Sequence, residues 1–154
     1  MATPRVAILM GSESDRGIAA KAEEVLNEFG IEFETNVISA HRNPNRIHKY
    51  VTHLEQNGFN LVIAIAGLAA HLPGVVASMT VLPVIGVPGD SGPLSGQDAL
   101  YSIVQMPSGV PVACVGIGNS RNAALLAVEM LGATDHTYRA AMKEYRKKFG
   151  DDAC

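Results

Sequence analysis

Residues 60–66 read Asn-Leu-Val-Ile-Ala-Ile-Ala, an apolar run with β-branched side chains and no polar face after Asn60. Such a run suits a parallel strand covered on both sides by helices, and few folds offer that environment. The rest of the chain repeats the theme. Arg5–Met10 (RVAILM) reads as a buried strand, Ile31–Ile38 alternates at Ile31, Phe33 and Thr35, and Leu82–Val87 and Val110–Ile117 supply two more. Helical spacing fills the intervals. Ile18, Ala22, Val25 and Leu26 recur at helical spacing on a segment that Ser14 or Asp15 would cap and Gly30 would end, at about Phe29. Ile47, Val51 and Leu54 share one face of a helix over Asn45–Gln56, closed by Gly58. Further helices are expected over Gly74–Thr80, Gln97–Val104, Arg121–Leu131 and Thr134–Phe149, the last with a basic C-terminal end that the helix dipole favours.

Five strands alternating with helices define an α/β fold: a three-layer, doubly wound, parallel five-stranded sheet with a C-terminal helix. Right-handed crossovers, with the most apolar strands placed centrally, predict the flavodoxin-like order 2-1-3-4-5. At 154 residues, with no linker or repeat, a single domain over 1–154 is expected. The net charge of -3 and the lack of a basic run argue against nucleic acid as a partner. No stretch has the length of a membrane span, and the N-terminus lacks a secretory pattern. Cys114 lies in an apolar run, so a buried and inert thiol is expected, while Cys154 ends the chain; no disulfide or zinc pattern emerges, which fits a cytoplasmic setting. Leu72–Thr80 and Ala123–Leu131 have almost no charged face, Glu129 being the one charge of the second. Helices apolar nearly all round need cover, and a homo-oligomer would supply it.

Three strand-end loops carry the chemistry. Gly11-Ser12-Glu13-Ser14-Asp15 offers amides and two hydroxyls at a helix start, a place suited to anions, although capping alone would explain those residues. Neither a Walker loop nor a dinucleotide fingerprint is present. Ser39-Ala40-His41-Arg42 places a proton-transfer residue beside a guanidinium fork that suits phosphate. Asp15 would be repelled by phosphate but is a natural partner for sugar hydroxyls, so the two loops together point to a ribose phosphate. The third loop, Gly67–Gly74, adds small residues and His71. His41 and His71 share no third ligand at metal spacing, which favours proton transfer over metal binding; for His71, a helix-start residue that caps backbone is a serious competitor. His48, His53 and His136 fall on expected helix surfaces.

As a set, these loops resemble the PurE family, the catalytic subunit of phosphoribosylaminoimidazole carboxylase in purine biosynthesis. The resemblance rests on Gly11–Asp15, Ser39–Arg42, Ala66-Gly67 with Ala69–Gly74, Pro83–Pro88, Asp98–Leu100, Ser102–Pro107 and Asn122–Ala124. It implies a mutase that moves the carboxylate of N5-carboxyaminoimidazole ribonucleotide from the exocyclic nitrogen to ring carbon C4. The intact Ala70-His71-Leu72-Pro73-Gly74 stretch points to this branch rather than to the one that carboxylates aminoimidazole ribonucleotide directly with CO2. No metal or organic cofactor is implied. By position, His41 would be the general acid and base, and Ser12, Asp15 and Arg42 would bind the ribonucleotide, with Gly11 and Ser14 beside them. Ser39, Ala40, Ala66, Gly67, Leu68, Ala70, His71 and Leu72 would wall the pocket. An octamer and a functional link to the ATP-dependent enzyme that makes the substrate are also implied. Asn43 replaces a usual Thr, Leu68 a frequent second Gly, and the Gly118–Arg121 loop is shorter than in many bacterial members. An FMN-binding flavodoxin-like protein is a remote competitor, short of the stacking aromatics it would need; a receiver domain is weaker, since the third strand ends in Ala66-Gly67 without an acceptor Asp.

Overall fold

A computed structural model describes residues 3–150. Cys154 lies outside them. The five strands are β1 (Arg5–Met10), β2 (Glu32–Val37), β3 (Phe59–Ala66), β4 (Val84–Pro88) and β5 (Ala113–Cys114), all parallel, in the order β2-β1-β3-β4-β5. The predicted order therefore holds. The helices are α1 (Arg16–Glu28), α2 (Pro44–Val51), α3 (Leu72–Ala77), α4 (Gln97–Val104), α5 (Ser120–Gly132) and α6 (His136–Arg146).

Alternation along each strand sorts side chains onto two faces. Val6, Ile8 and Met10 of β1, with Ile63 and Ile65 of β3, join one core beneath α1 and α5, which α6 extends. Ala7 and Leu9, with Val62, Ala64 and Ala66, join the other beneath α2 and α3. The second face is lined by smaller residues, so its helices approach closely. Gly86 shows how closely: a Cβ there would collide with Ile103 and lie 3.2 Å from Pro73 Cβ and Val112 Cγ1. Small side chains on β3 and β4 thereby seat α3 and α4 near the carboxyl edge of the sheet.

Three expectations are corrected. Only Ala113 and Cys114 of the predicted strand Val110–Ile117 join the ladder. Pro111 has no amide to donate, and beyond one further bond from Val115 N to Gly86 O the chain turns to bond Gly118 N to Pro88 O. A short edge of this kind also gives little template for foreign strands. The helix α2 stops at Val51, not Gln56, because the Thr52 hydroxyl donates to its own His48 carbonyl at 2.8 Å and His53 Nδ1 sits 2.7 Å from Lys49 O. The chain continues in turns until Gly58, at φ 77°, redirects it into β3. Cys114 is half-buried rather than buried; its thiol donates to Val115 O, and desolvation pushes its pKa up, which keeps it unreactive.

Smaller shifts follow the same logic. Helix α3 starts earlier than expected, at Leu72, since Pro73 is well placed in a first turn. Helix α5 is apolar because two helices cover it: α1 lies on one side and α6 on the other. Its Ser120 hydroxyl, fully buried, donates to Ile18 O of α1. Among the described residues no helix is long and apolar enough to cross a membrane.

Candidate active site

The carboxyl ends of β1, β2, β3 and β4 open onto one cavity of about 660 Å3. The first loop supplies Gly11, Ser12, Ser14 and Asp15, and the second Ser39, Ala40, His41 and Arg42. The third supplies Ala66, Gly67, Leu68, Ala70 and Leu72. Of the residues singled out in the sequence, His71 alone does not line it. Its ring folds back over Gly74 in the first turn of α3, where a Cβ on Gly74 would lie 2.6 Å from His71 Cε1. His71 holds the N-cap position without a side-chain cap bond, so it is not the backbone-capping residue considered above.

The first loop enters α1 through a short 3-10 turn, Glu13–Asp15. Neither Ser14 nor Asp15 caps by its side chain; the capping oxygen is Ser12 Oγ, which accepts from Ser14 N at 3.3 Å and from the Ser14 hydroxyl at 3.0 Å. The 3-10 turn explains the slip, since it moves the capped amide one turn earlier than an α-helical start would. The second loop is a tight turn closed by Asn43 N donating to Ser39 O at 2.8 Å. Ser39 Oγ stiffens it further by accepting from Arg42 N at 3.3 Å and Arg42 Nε at 3.2 Å. The guanidinium then reaches across to the first loop and donates to Gly11 O at 3.0 Å. That reach requires β2 and β1 to be neighbours. Among the described residues no carboxylate pairs with Arg42, so its remaining N–H groups face the cavity with charge to spare.

Asp15 is 5% exposed at the cavity floor. Burial pushes its carboxyl pKa up, the Ser12 amide pulls part of that back, and the negative charge of Asp90 adds a smaller upward push. A group that binds its proton more tightly folded than unfolded contributes full stability below the ordinary aspartate range. That contribution is lost as pH rises through the raised folded value. An Asp15→Asn protein is therefore expected to melt above the parent at pH 7, with the difference shrinking as the pH falls and the parent's carboxyl protonates; melting curves across pH read this directly. The same substitution is expected to weaken ligand binding, the ordinary conflict between stability and a working site.

The fourth loop, after β4, contributes Ser91 and Gly92, which the sequence reading did not select. It had the signal of the other three, small and turn-forming residues at a strand end, but no ionisable side chain of obvious use. Leu68 adopts φ 54°, the left-handed region where Gly is at ease. Among the described residues no three His, Cys, Asp or Glu side chains cluster as metal ligands would.

A cavity at the carboxyl edge of a doubly wound sheet, spanning the point where strand order reverses, is where such proteins take small molecules. Residues 5–152 match the family model described as AIR carboxylase, and the chain belongs to that family. It is 51% identical over 145 residues to the N5-carboxyaminoimidazole ribonucleotide mutase of Thermotoga maritima, covering 94% of this chain and 85% of that protein. It is 53% identical over 148 residues to the phosphoribosylaminoimidazole carboxylase of Saccharomyces cerevisiae, covering 96% of this chain but 26% of that protein. The crystal structure of Treponema denticola PurE superposes with a TM-score of 0.86 at 35% identity, covering 94% of this chain and 90% of that one.

Proposed function

We propose that this chain is an N5-carboxyaminoimidazole ribonucleotide mutase of purine biosynthesis, an isomerase that moves a carboxylate from N5 to C4. One observation carries the reading: His41, Arg42 and Asp15 meet a wall of small apolar residues in one cavity, on a chain half identical to proteins so named. Arg42, with Ser12 and Ser14, holds the phosphate, and Asp15 takes ribose hydroxyls. His41 gives a proton to N5 as the N–C bond breaks and its electron pair returns to nitrogen. The released CO2 stays against Gly67, Leu68 and Ala70, which present no cation that would trap it. C4 then attacks the CO2 carbon, and its proton returns to His41. Atoms and charge balance without any co-reactant.

Direct carboxylation of aminoimidazole ribonucleotide is the second reading, favoured by the yeast relative named a carboxylase. That relative is about four times longer than this chain, which supports a partner that supplies the carboxylated substrate. The same reading places the protein in the cytoplasm as a homo-oligomer, with an octamer as the specific expectation. Exposed apolar side chains on α4, Tyr101 and Val104, support assembly. The deciding assay offers the two ribonucleotides separately. The carboxyamino form should convert without bicarbonate, and the decarboxylated form only at high bicarbonate. Efficient conversion of the latter at low bicarbonate would replace the mutase with the carboxylase.

A further inference from the structure

The apolar wall that the mutase reading assigns to CO2 lacks one thing. Gly67, Leu68, Ala70 and Leu72 bring no side-chain hydrogen-bond donor. A carboxylate parked against such a wall before the N–C bond breaks would be desolvated and unpaired, and Asp15 nearby would repel it. The fourth loop supplies what is missing. Ser91 lines the cavity beside that wall, and a Cβ on Gly67 would collide with Ser91 Oγ. The hydroxyl thus occupies the space that glycine leaves empty, on the side of Gly67 where Asp15 Oδ1 lies 4.0 Å from the same point.

The contact is not incidental to one residue. Gly89 comes so close that a Cβ on it would lie 3.1 Å from Gly67 Cα, and Gly89 N donates to Ala66 O at 2.8 Å. Gly92, at φ 87°, passes over the side chain of Leu68 with no room for a Cβ between them. Three glycines therefore lock the fourth loop onto the third, with the Ser91 hydroxyl at the seam. Among the described residues that hydroxyl has no hydrogen-bond partner. A neutral donor is also the right chemistry here: it can bond to a carboxylate and release CO2, where a lysine or arginine would hold the anion and oppose its loss.

We propose that Ser91 donates a hydrogen bond to the migrating carboxylate and is the residue by which the site tells a carboxylated ribonucleotide from an uncarboxylated one. The proposal rests on the mutase reading and deepens it. The hydrogen bond is made to the carboxylate of the substrate, is lost as that group becomes CO2, and forms again with the carboxylate on C4.

The test is a Ser91→Ala protein. Ser91 is exposed and truncating it leaves no cavity in the core, so the fold should stand. Binding is measured for two ligands: 4-carboxy-5-aminoimidazole ribonucleotide and aminoimidazole ribonucleotide. Affinity for the first should fall about tenfold or more, the loss expected for a hydrogen bond to a charged group, while affinity for the second stays unchanged. More turnovers should also end in escape, seen as aminoimidazole ribonucleotide and CO2 accumulating from the N5-carboxylated substrate. Equal affinities for both ligands relative to the parent, or an equal loss of both, would overturn the proposal. A Ser91→Thr protein, which retains the hydroxyl, should keep the preference; if it loses the preference as the alanine protein does, the hydroxyl is not its source. Failure of the mutase reading looks different, since the parent itself would then not convert the N5-carboxylated nucleotide.

Discussion

A His41→Asn protein is expected to bind the ribonucleotide within a few-fold of the parent and to turn it over about a thousandfold more slowly. The size follows from what general acid–base catalysis ordinarily supplies, ~10²–10⁴-fold, and a thousandfold corresponds to about 4 kcal/mol of barrier. Asparagine keeps a polar side chain of similar reach but cannot carry a proton between N5 and C4. The turn should survive the change. It is closed by Asn43 N to Ser39 O and by the two bonds that Arg42 makes to Ser39 Oγ, none of which uses the imidazole. His41 is exposed, so nothing in the core depends on it. Single-turnover measurement of both partial reactions sharpens the outcome: one shared proton carrier predicts that decarboxylation and recarboxylation slow together. If only one slows, a second group does half the work. If turnover stays normal, the proton path runs elsewhere, and if affinity falls as far as rate, His41 is a binding residue.

Much of this was readable before the structure, and what was not has a common cause. Strand order followed from the apolar runs, since only a central strand tolerates Leu61 to Ala66 buried on both faces. The helix end at Gly30 followed from a φ value that other residues resist, 64° in the structure. The first three loops declared themselves through ionisable residues at strand ends. The misses depend on contacts that a linear reading does not contain. Ser91 enters the site because Gly67, far away in sequence, has no side chain in its path. His71 leaves it because Gly74, one turn along α3, lets the ring fold back. In both cases an absent Cβ decides where another residue's side chain goes, and a glycine's role as a vacancy is visible only once the neighbour is known. The length of β5 failed for a related reason: apolar content says that Val110–Ile117 is near the sheet, whereas hydrogen-bond register and the missing amide of Pro111 decide which residues join it.

Replacing Arg42 by alanine should raise KM for the ribonucleotide about a hundredfold while lowering kcat less than tenfold. The guanidinium is placed to do two things at once. Its Nε and one terminal nitrogen are spent on Ser39 Oγ, at 3.2 Å, and Gly11 O, at 3.0 Å, which fixes the fork in the cleft between the first two loops. The N–H groups left over are then pre-aimed, with no carboxylate competing for them among the described residues. Charge-assisted hydrogen bonds to phosphate are among the stronger polar contacts, each worth ~1.5–3 kcal/mol, which is the source of the hundredfold figure. The smaller effect on kcat reflects the other half of the role, since losing the tie to Gly11 loosens the turn that carries His41. Lysine separates the two. It keeps the charge but cannot brace both loops and still present a planar fork, so Arg42→Lys should recover part of the affinity, leaving KM about tenfold above the parent. Salt gives an independent check. The parent's KM should climb with ionic strength as the phosphate contact is screened, and the alanine protein's should climb less. A collapse of kcat with KM unchanged would place Arg42 at the reacting end of the ligand, and the assignment of His41 and Arg42 to opposite ends of the nucleotide would have to be reversed.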